Sequence, residues 1–301
     1  MMVWKDFGRK KWIGFLGLAF FLVGCGVSTA TSHSAVHLSV SSSTPIGVYA
    51  TPRDTFAVAP SSENRFLWIL AGKRGGRTVS LVDLHNRKIT IVQSISRSVG
   101  AIATEGQVLG LGSPGGHNGW VEFWKGPMGG ADTLFKTVRL AGAVRSLAVG
   151  DNGTFYALNG HSSEVVSVID SRTGRVLATV DAPKTGVAVV ATPHQSSVYV
   201  LESDGNVEEV GLPSGQVESL FPVGHSGRSM AISPSGDILY VLKGRGSTRN
   251  VAVVNLSIES VLRAIPAPAH ANAISLSVNG KILYDAVGTA TFGNIQAYRV
   301  G

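Results

Sequence analysis

The feature that most constrains the fold is an internal repeat that begins near residue 56 and continues almost to the C-terminus. Each copy holds four apolar segments separated by turns rich in Gly, Ser, Asn and Asp. The second segment carries an aromatic residue at a recurring position. The copies begin at Phe56, Gly100, Ala143, Val187, Arg228 and Ala273. The recurring aromatic residues are Trp68, Tyr156, Tyr199, Tyr240 and Tyr284, and the copy from Gly100 to Gly142 is the most irregular.

Four short strands with a period of about 40–45 residues are typical of a β-propeller blade. A single four-stranded blade cannot bury both of its faces, so blades must pack side by side around an axis. The repeat therefore predicts an all-β propeller of six four-stranded blades, with the recurring aromatic residues filling the space between neighbours. A β-sandwich or a set of small β domains is the alternative interpretation.

The last copy stops after its third strand, which would leave an open sheet edge. The segment from Ile46 to Thr51 precedes the first copy at the place where a fourth strand would stand. We predict that this segment pairs with the C-terminal strand and closes the ring.

The N-terminus has the pattern of a secretory signal. Basic residues within the first eleven positions precede an apolar run from Trp12 to Gly24. The run has 13 residues, whereas a membrane-spanning helix needs about 20. The run ends in Leu22-Val23-Gly24-Cys25, which resembles the lipobox of bacterial lipoproteins.

The lipobox resemblance implies that the Cys25 sulfur carries a diacylglycerol and that the signal is cut just before it. The prediction divides the chain into a signal peptide at 1–24, a Ser/Thr-rich tether at 25–45 and a propeller domain at 46–301. It places the protein outside the cytoplasm, in the cell envelope, held to the bacterial membrane by its lipid. An ordinary signal or anchor helix with an incidental cysteine is the alternative.

The repeat units themselves resemble a known family. The copy that contains VVSVID and TGRVLATV, and the SPSGDILYV hairpin of a later copy, resemble the YVTN repeat of bacterial surface-layer-like and YncE-like propellers. The resemblance is strongest in 147–180 and 230–254 and implies a binding or surface protein. Seven blades are usual in that family, so a divergent seventh blade stays open beside the count of six.

The charge, the cysteine content and the motifs of the chain restrict the partners and chemistry that we expect. The formal net charge is +7, but the mature chain shows no polybasic run, and secretion also argues against a nucleic-acid partner. Cys25 is the single cysteine, so the domain has no internal disulfide. No GxSxG, HExxH or CxxC motif occurs in the mature chain. We expect no catalytic residue, no metal site, no cofactor and a monomeric protein.

Propellers place functional groups on loops that lead into the innermost strands. The candidate ligand-binding residues on these loops are Arg145, Lys184, His225, Arg228 and His270. The three cations would form a positive funnel for an anion. The two histidines occupy similar positions in successive repeats and could act as ligands or as acid and base; solvated loop side chains are the alternative for all five.

The sequence favours a binding or protein-interaction module whose partner is a protein, a peptide or a glycan. A propeller enzyme of the lactonase or quinoprotein type is one alternative. A purely structural envelope protein is the other. Repeat motifs specify a fold and leave these functions open.

Overall fold

The computed structural model describes residues 44–72, 78–95, 97–125 and 133–300. Within these ranges, strands form six antiparallel sheets of four strands, and the one helical element is a 3₁₀ turn at Gly246–Thr248. The predicted signal peptide, Cys25 and the predicted tether as far as residue 43 lie outside the described residues. No helix in the described ranges is long and apolar enough to cross a membrane.

The six sheets are the six blades that the repeat predicts, and they follow one another along the chain. In blades 1–5 the order of strands within the sheet is their order in the sequence. Blade 1 consists of β2 Ala57–Pro60, β3 Phe66–Ala71, β4 Thr78–Asp83 and β5 Lys88–Ser94, and blade 2 of β6 Ala101–Glu105, β7 Val108–Gly112, β8 Asn118–Lys125 and β9 Thr133–Ala141. Blade 3 consists of β10 Ala143–Val149, β11 Thr154–Gly160, β12 Glu164–Asp170 and β13 Arg175–Asp181, and blade 4 of β14 Gly186–Ala191, β15 Ser197–Glu202, β16 Asn206–Gly211 and β17 Val217–Pro222. Blade 5 consists of β18 Gly227–Ile232, β19 Ile238–Lys243, β20 Asn250–Asn255 and β21 Ser260–Pro266, and blade 6 of β22 Ala271–Leu276, β23 Ile282–Gly288, β24 Gly293–Arg299 and β1 Gly47–Ala50.

Blade 6 is built from both ends of the described chain, as the sequence predicts. Strand β1 pairs antiparallel with β24, with Tyr49 opposite Ile295. The pairing continues at both ends of β1, where the Ile46 N–H donates to the Ala297 carbonyl over 2.8 Å and the Thr51 N–H donates to the Gly293 carbonyl over 3.1 Å. The N-terminal strand therefore covers the edge that the last repeat would leave open.

The core consists of six apolar clusters, and each cluster joins two neighbouring blades. Tyr199 of blade 4, for example, packs with Leu239 and Val241 of blade 5. Tyr284 of blade 6 packs with Leu67 of blade 1 across the closure. All five recurring aromatic residues are buried between blades, which confirms the role that the sequence predicts for them.

Blade 2 departs from the repeat because Gly110 occupies the aromatic position, opposite Ala103. A Cβ atom on Gly110 would lie only 2.8 Å from a ring carbon of Phe155 in blade 3. Phe155 is fully buried and meets Phe123 edge to face, with ring centroids 4.8 Å apart. The aromatic group that fills this interface thus comes from the neighbouring blade, which explains why the copy looks irregular in sequence.

The ring has two distinct faces. The upper face is the one at which the inner strands begin. There the loops between second and third strands form hydrogen bonds with the loops that lead into the inner strands. The Gly288 N–H, for instance, donates to the His270 carbonyl. On the lower face, the turns between third and fourth strands bond to the turns that follow the inner strands. There the Leu256 N–H donates to the Asp237 carbonyl, and the Ser171 N–H donates to the Gly153 carbonyl.

Candidate functional site

The inner strands of the six blades enclose a central channel with a cavity of about 630 Å³. Most of its wall is small or apolar, and charged side chains stand only at its two ends. Arg145 and Arg228 lie at the upper end, whereas Glu105 and Asp151 lie at the lower end. The channel therefore offers cationic groups to the upper face and carboxylates to the lower face.

The upper mouth forms a second cavity of about 470 Å³. Its charged lining residues are Asp54, Arg145 and Arg228, and Asn272 adds a carboxamide. Asn272 has a structural role, because its side-chain amide donates to the Thr55 carbonyl over 3.0 Å and to the Gly288 carbonyl over 3.1 Å. The first bond joins blade 6 to blade 1 and the second lies within blade 6, so the Asn272 amide is already used and the two arginines are the groups best able to receive an anion.

Arg145 is already paired with a carboxylate. Its Nε lies 2.7 Å from Oε1 of Glu164, whose side chain is only 4% exposed. The other oxygen, Oε2, is buried and has no hydrogen-bond partner among the described residues. The Arg145 charge is consequently balanced, and removing it would leave a buried, uncompensated carboxylate.

Arg228, in contrast, belongs to a group of cations that have no ion pair within the described residues. We call this group the blade 5 basic cluster, and it comprises Arg228, Lys243, Arg245 and Arg249. The Arg228 Nε donates to the Gly244 carbonyl over 3.0 Å, and the Arg245 Nε donates to the Ser226 hydroxyl over 3.2 Å. None of the ion pairs among the described residues includes a member of the cluster.

Two arginines of the blade 5 basic cluster, Arg228 and Arg249, lie close enough for one charge to affect the other. Burial, and then the nearby charge of Arg228, lower the pKa of Arg249 from its usual value. The Arg249 Nη1 donates to the Ala271 carbonyl over 2.8 Å, but its Nε is buried and finds no partner among the described residues. Guanidinium groups arranged in this way, without a carboxylate, favour an external anion.

The cluster could have been found in the sequence, since KGRGSTR joins two strands of blade 5 and GHSGR leads into the same blade. The remaining predicted residues occupy other positions. Lys184, His225 and His270 lie exposed on upper-face loops and are not among the residues that line the channel or its upper mouth. His270 meets Phe292 edge to face at 6.1 Å instead. The structure thus brings Arg145 and Arg228 to the mouth, and leaves the other three outside it.

A different pair of histidines does come together. The rings of His117 and His161, from upper-face loops of blades 2 and 3, lie 3.8 Å apart between centroids. Next to His161 the backbones of blades 2 and 3 come close, since a Cβ atom on Gly142 would lie 2.3 Å from the Gly160 carbonyl oxygen. In the part of the chain that the structure describes, no three His, Cys, Asp or Glu side chains gather closely enough to hold a metal ion.

The six closed blades and the open central channel define the chain as a six-bladed β-propeller. It is similar to a chain of the solved structure titled "Kuenenia stuttgartiensis Hydrazine Synthase", with a TM-score of 0.57 and 16% sequence identity. The match covers 83% of this chain and 97% of that chain. At this identity the likeness shows the fold alone. No family model and no curated protein matches the sequence.

Proposed function

We propose that the chain is a lipid-anchored, extracytoplasmic binding module that captures an acidic group of a peptide or a glycan at its upper face. The observation that carries the proposal is the blade 5 basic cluster beside the upper mouth. Arg228 reaches both the mouth and the channel, and its neighbours lack carboxylate partners within the described residues. A carboxylate, sulfate or phosphate would supply the missing partner. No observation on the described residues favours the lactonase or quinoprotein alternatives.

Replacing Arg228 and Arg245 together by Gln is expected to weaken binding of acidic probes at least about tenfold for each arginine that contacts the anion. The reason is that each change removes a charge-assisted hydrogen-bond donor while keeping a polar side chain of similar length. The measurement is isothermal titration with a sulfated hexasaccharide and with an oligoglutamate peptide, and the stronger probe identifies the class of ligand.

The matched control is the Arg172→Gln/Arg175→Gln pair, which removes the same net charge from the lower face of blade 3. This control should bind both probes as the parent does. Equal losses in the two double variants would mean that only the overall charge matters, and the proposed site would be abandoned.

The anchor part of the proposal depends on the thiol of Cys25, which follows Leu22, Val23 and Gly24. We expect Cys25→Ser to abolish lipidation and globomycin-sensitive processing, because the hydroxyl is a far weaker nucleophile than the thiolate. Mass spectrometry of the protein extracted from membranes measures both. A second variant that adds Ser42→Cys to Cys25→Ser restores a thiol outside the lipobox and should remain unlipidated. Normal processing of the Cys25→Ser chain would reject the lipoprotein assignment.

A further inference from the structure

Exposed large apolar side chains concentrate on the outermost strands of the blades. Two neighbouring residues at the beginning of each of three outer strands belong to this set. At least about two-fifths of each of these side chains is exposed. Blades 2, 3 and 5 carry the pairs Leu134 and Phe135, Val176 and Leu177, and Val261 and Leu262, and blade 4 adds Val217. We call these seven residues the apolar rim.

A repeated irregularity of the sheets produces these pairs. The pairing of third and fourth strands skips one residue of the outer strand in each of blades 1–5. In three of them the skipped residue is apolar, namely Phe135, Leu177 or Leu262. A bulge disrupts the usual alternation of faces. Solvated sheet surfaces normally carry polar side chains, so repeated apolar pairs here require an explanation.

All members of the apolar rim lie toward the lower face, because the beginnings of the outer strands pair with the ends of the third strands, which reach that face. The rims of blades 2 and 3 adjoin one another, since a Cβ atom on Gly174 in the blade 3 turn would lie 2.5 Å from the side chain of Lys136 in blade 2. Lys136 follows Phe135 directly and Arg175 precedes Val176. This part of the rim therefore combines apolar side chains with cations.

The N-terminal segment joins the ring at the same face. Strand β1 begins with Gly47 opposite Ala297, and β24 ends at Arg299, opposite Ile282 beside a lower-face turn. Ile46 and Val48 are themselves about half exposed there, at 49% and 51%. The described chain therefore begins at the lower face, and residues 1–43, Cys25 among them, lie outside the described residues.

We propose that the part of the apolar rim in blades 2 and 3 is a membrane-docking surface that rests on an anionic bilayer and turns the blade 5 basic cluster away from it. Apolar side chains bordered by Lys and Arg suit the boundary between acyl chains and anionic headgroups. Blade 3 lies across the ring from blade 6 and blade 2 lies beside blade 3, so a lipid attached through blade 6 and the rim of blades 2 and 3 would hold the lower face flat. The inference rests on the proposed lipid anchor, and it adds the orientation of the domain.

The sequence makes a direct test practical, because Cys25 is the single cysteine and its thiol is consumed by the lipid. A cysteine introduced at Ser235 on the lower face or at Ser247 on the upper face accepts one fluorescent label. The lipidated protein is placed on phosphatidylglycerol vesicles that contain a spin-labelled lipid, and quenching of each label is measured. We expect strong quenching at position 235 and little at position 247.

Changing both Phe135 and Leu177 to Ser should remove the difference between the two labels, while the chain stays on the vesicles through its lipid. The control is Phe292→Ser, which removes an exposed aromatic side chain from the upper face and should leave the difference intact. Equal quenching at the two positions in the parent protein would overturn the docking surface.

The absence of a lipid on Cys25 would be a separate result, and mass spectrometry of the protein detects it. In a chain that proves to be unacylated, the rim alone should bind phosphatidylglycerol vesicles, and the Phe135→Ser/Leu177→Ser variant should bind roughly tenfold or more weakly. Sedimentation with the vesicles measures this binding. Identical sedimentation of the two chains would overturn the docking surface whatever the state of the anchor.

Discussion

Deleting residues 41–52 is expected to lower the melting temperature of the protein by roughly 10 °C, at about 2–4 °C per kcal/mol for a domain of this size. The deletion removes β1 and exposes the edge of β24, together with the apolar contacts of Tyr49 in the blade 6–blade 1 core. Several backbone hydrogen bonds disappear at about 1 kcal/mol each, a loss on the order of 4 kcal/mol. Differential scanning calorimetry of the full and the shortened chain measures the two melting temperatures.

The control for this deletion removes residues 28–39, a segment of equal length from the predicted tether, and should leave the melting temperature unchanged. A synthetic peptide of residues 41–52, added to the shortened chain, should restore part of the lost stability by re-forming the blade 6 sheet. Unchanged melting of the shortened chain would show that the closing strand contributes little to stability.

Replacing Asp285 by Val is expected to stabilise the protein at neutral and alkaline pH by on the order of 4 kcal/mol, at about 1.4 kcal/mol per unit of pKa difference. Asp285 is 1% exposed, and its Oδ1 has no hydrogen-bond partner among the described residues. Burial raises its pKa from 3.8 to about 7. The equivalent strand positions of blades 1, 4 and 5 hold Ile69, Val200 and Val241, all fully buried, so valine suits the site.

The pH dependence has a definite sign. Between about pH 4 and pH 7 the unfolded chain releases the Asp285 proton while the folded chain keeps it, so stability falls as the pH rises through this window. Above pH 7 the Asp285 carboxyl group is ionised in both the folded and the unfolded chain, so the loss of stability no longer changes with pH. Urea unfolding at a series of pH values should therefore show that the advantage of Asp285→Val is small near pH 4 and full near pH 8.

Asp170 provides a control of opposite sign. The Thr173 hydroxyl and the Arg172 N–H donate to its carboxylate and, with the charge of Arg172, lower its pKa. Asp170→Asn should therefore lose stability that the parent has above pH 4, and the difference should shrink in acid. A pH-independent effect of Asp285→Val would mean that the carboxyl group is not held neutral by its surroundings.

The architecture was predictable from the sequence because each blade is a local unit. Strands that follow one another pair with one another, so apolar segments and turns are enough to define a blade, and the recurring aromatic positions mark its neighbours. The closure by Ile46–Thr51 could also be predicted, since the last copy lacks a fourth strand and this segment is a strand that belongs to no other copy. The irregular copy was harder to interpret, because the aromatic group that fills the space beside Gly110 belongs to Phe155 in the next blade.

The candidate site was only partly predictable. Arg145 and Arg228 were found because both stand at the start of an inner strand, where the fold places the mouth. Two further facts came only from the structure: that Glu164 neutralises Arg145, and that Arg228 lies close enough to Arg249 to lower its pKa. Ion pairing and desolvation depend on distances between loops, which the repeat does not encode.

The sequence by itself determined the β-propeller class, the order of strands and the strand that closes the ring, because these follow from contacts between neighbouring segments, whereas the structure fixed the count of blades at six. Among the described residues, the tertiary structure alone decided which cations stay unpaired and which carboxyl oxygens, Oδ1 of Asp285 among them, lie buried without a partner. It also decided which apolar residues line one rim. The physical reason is that burial and charge balance arise where separate blades meet, and the strength of a charge depends on the groups and the water that surround it.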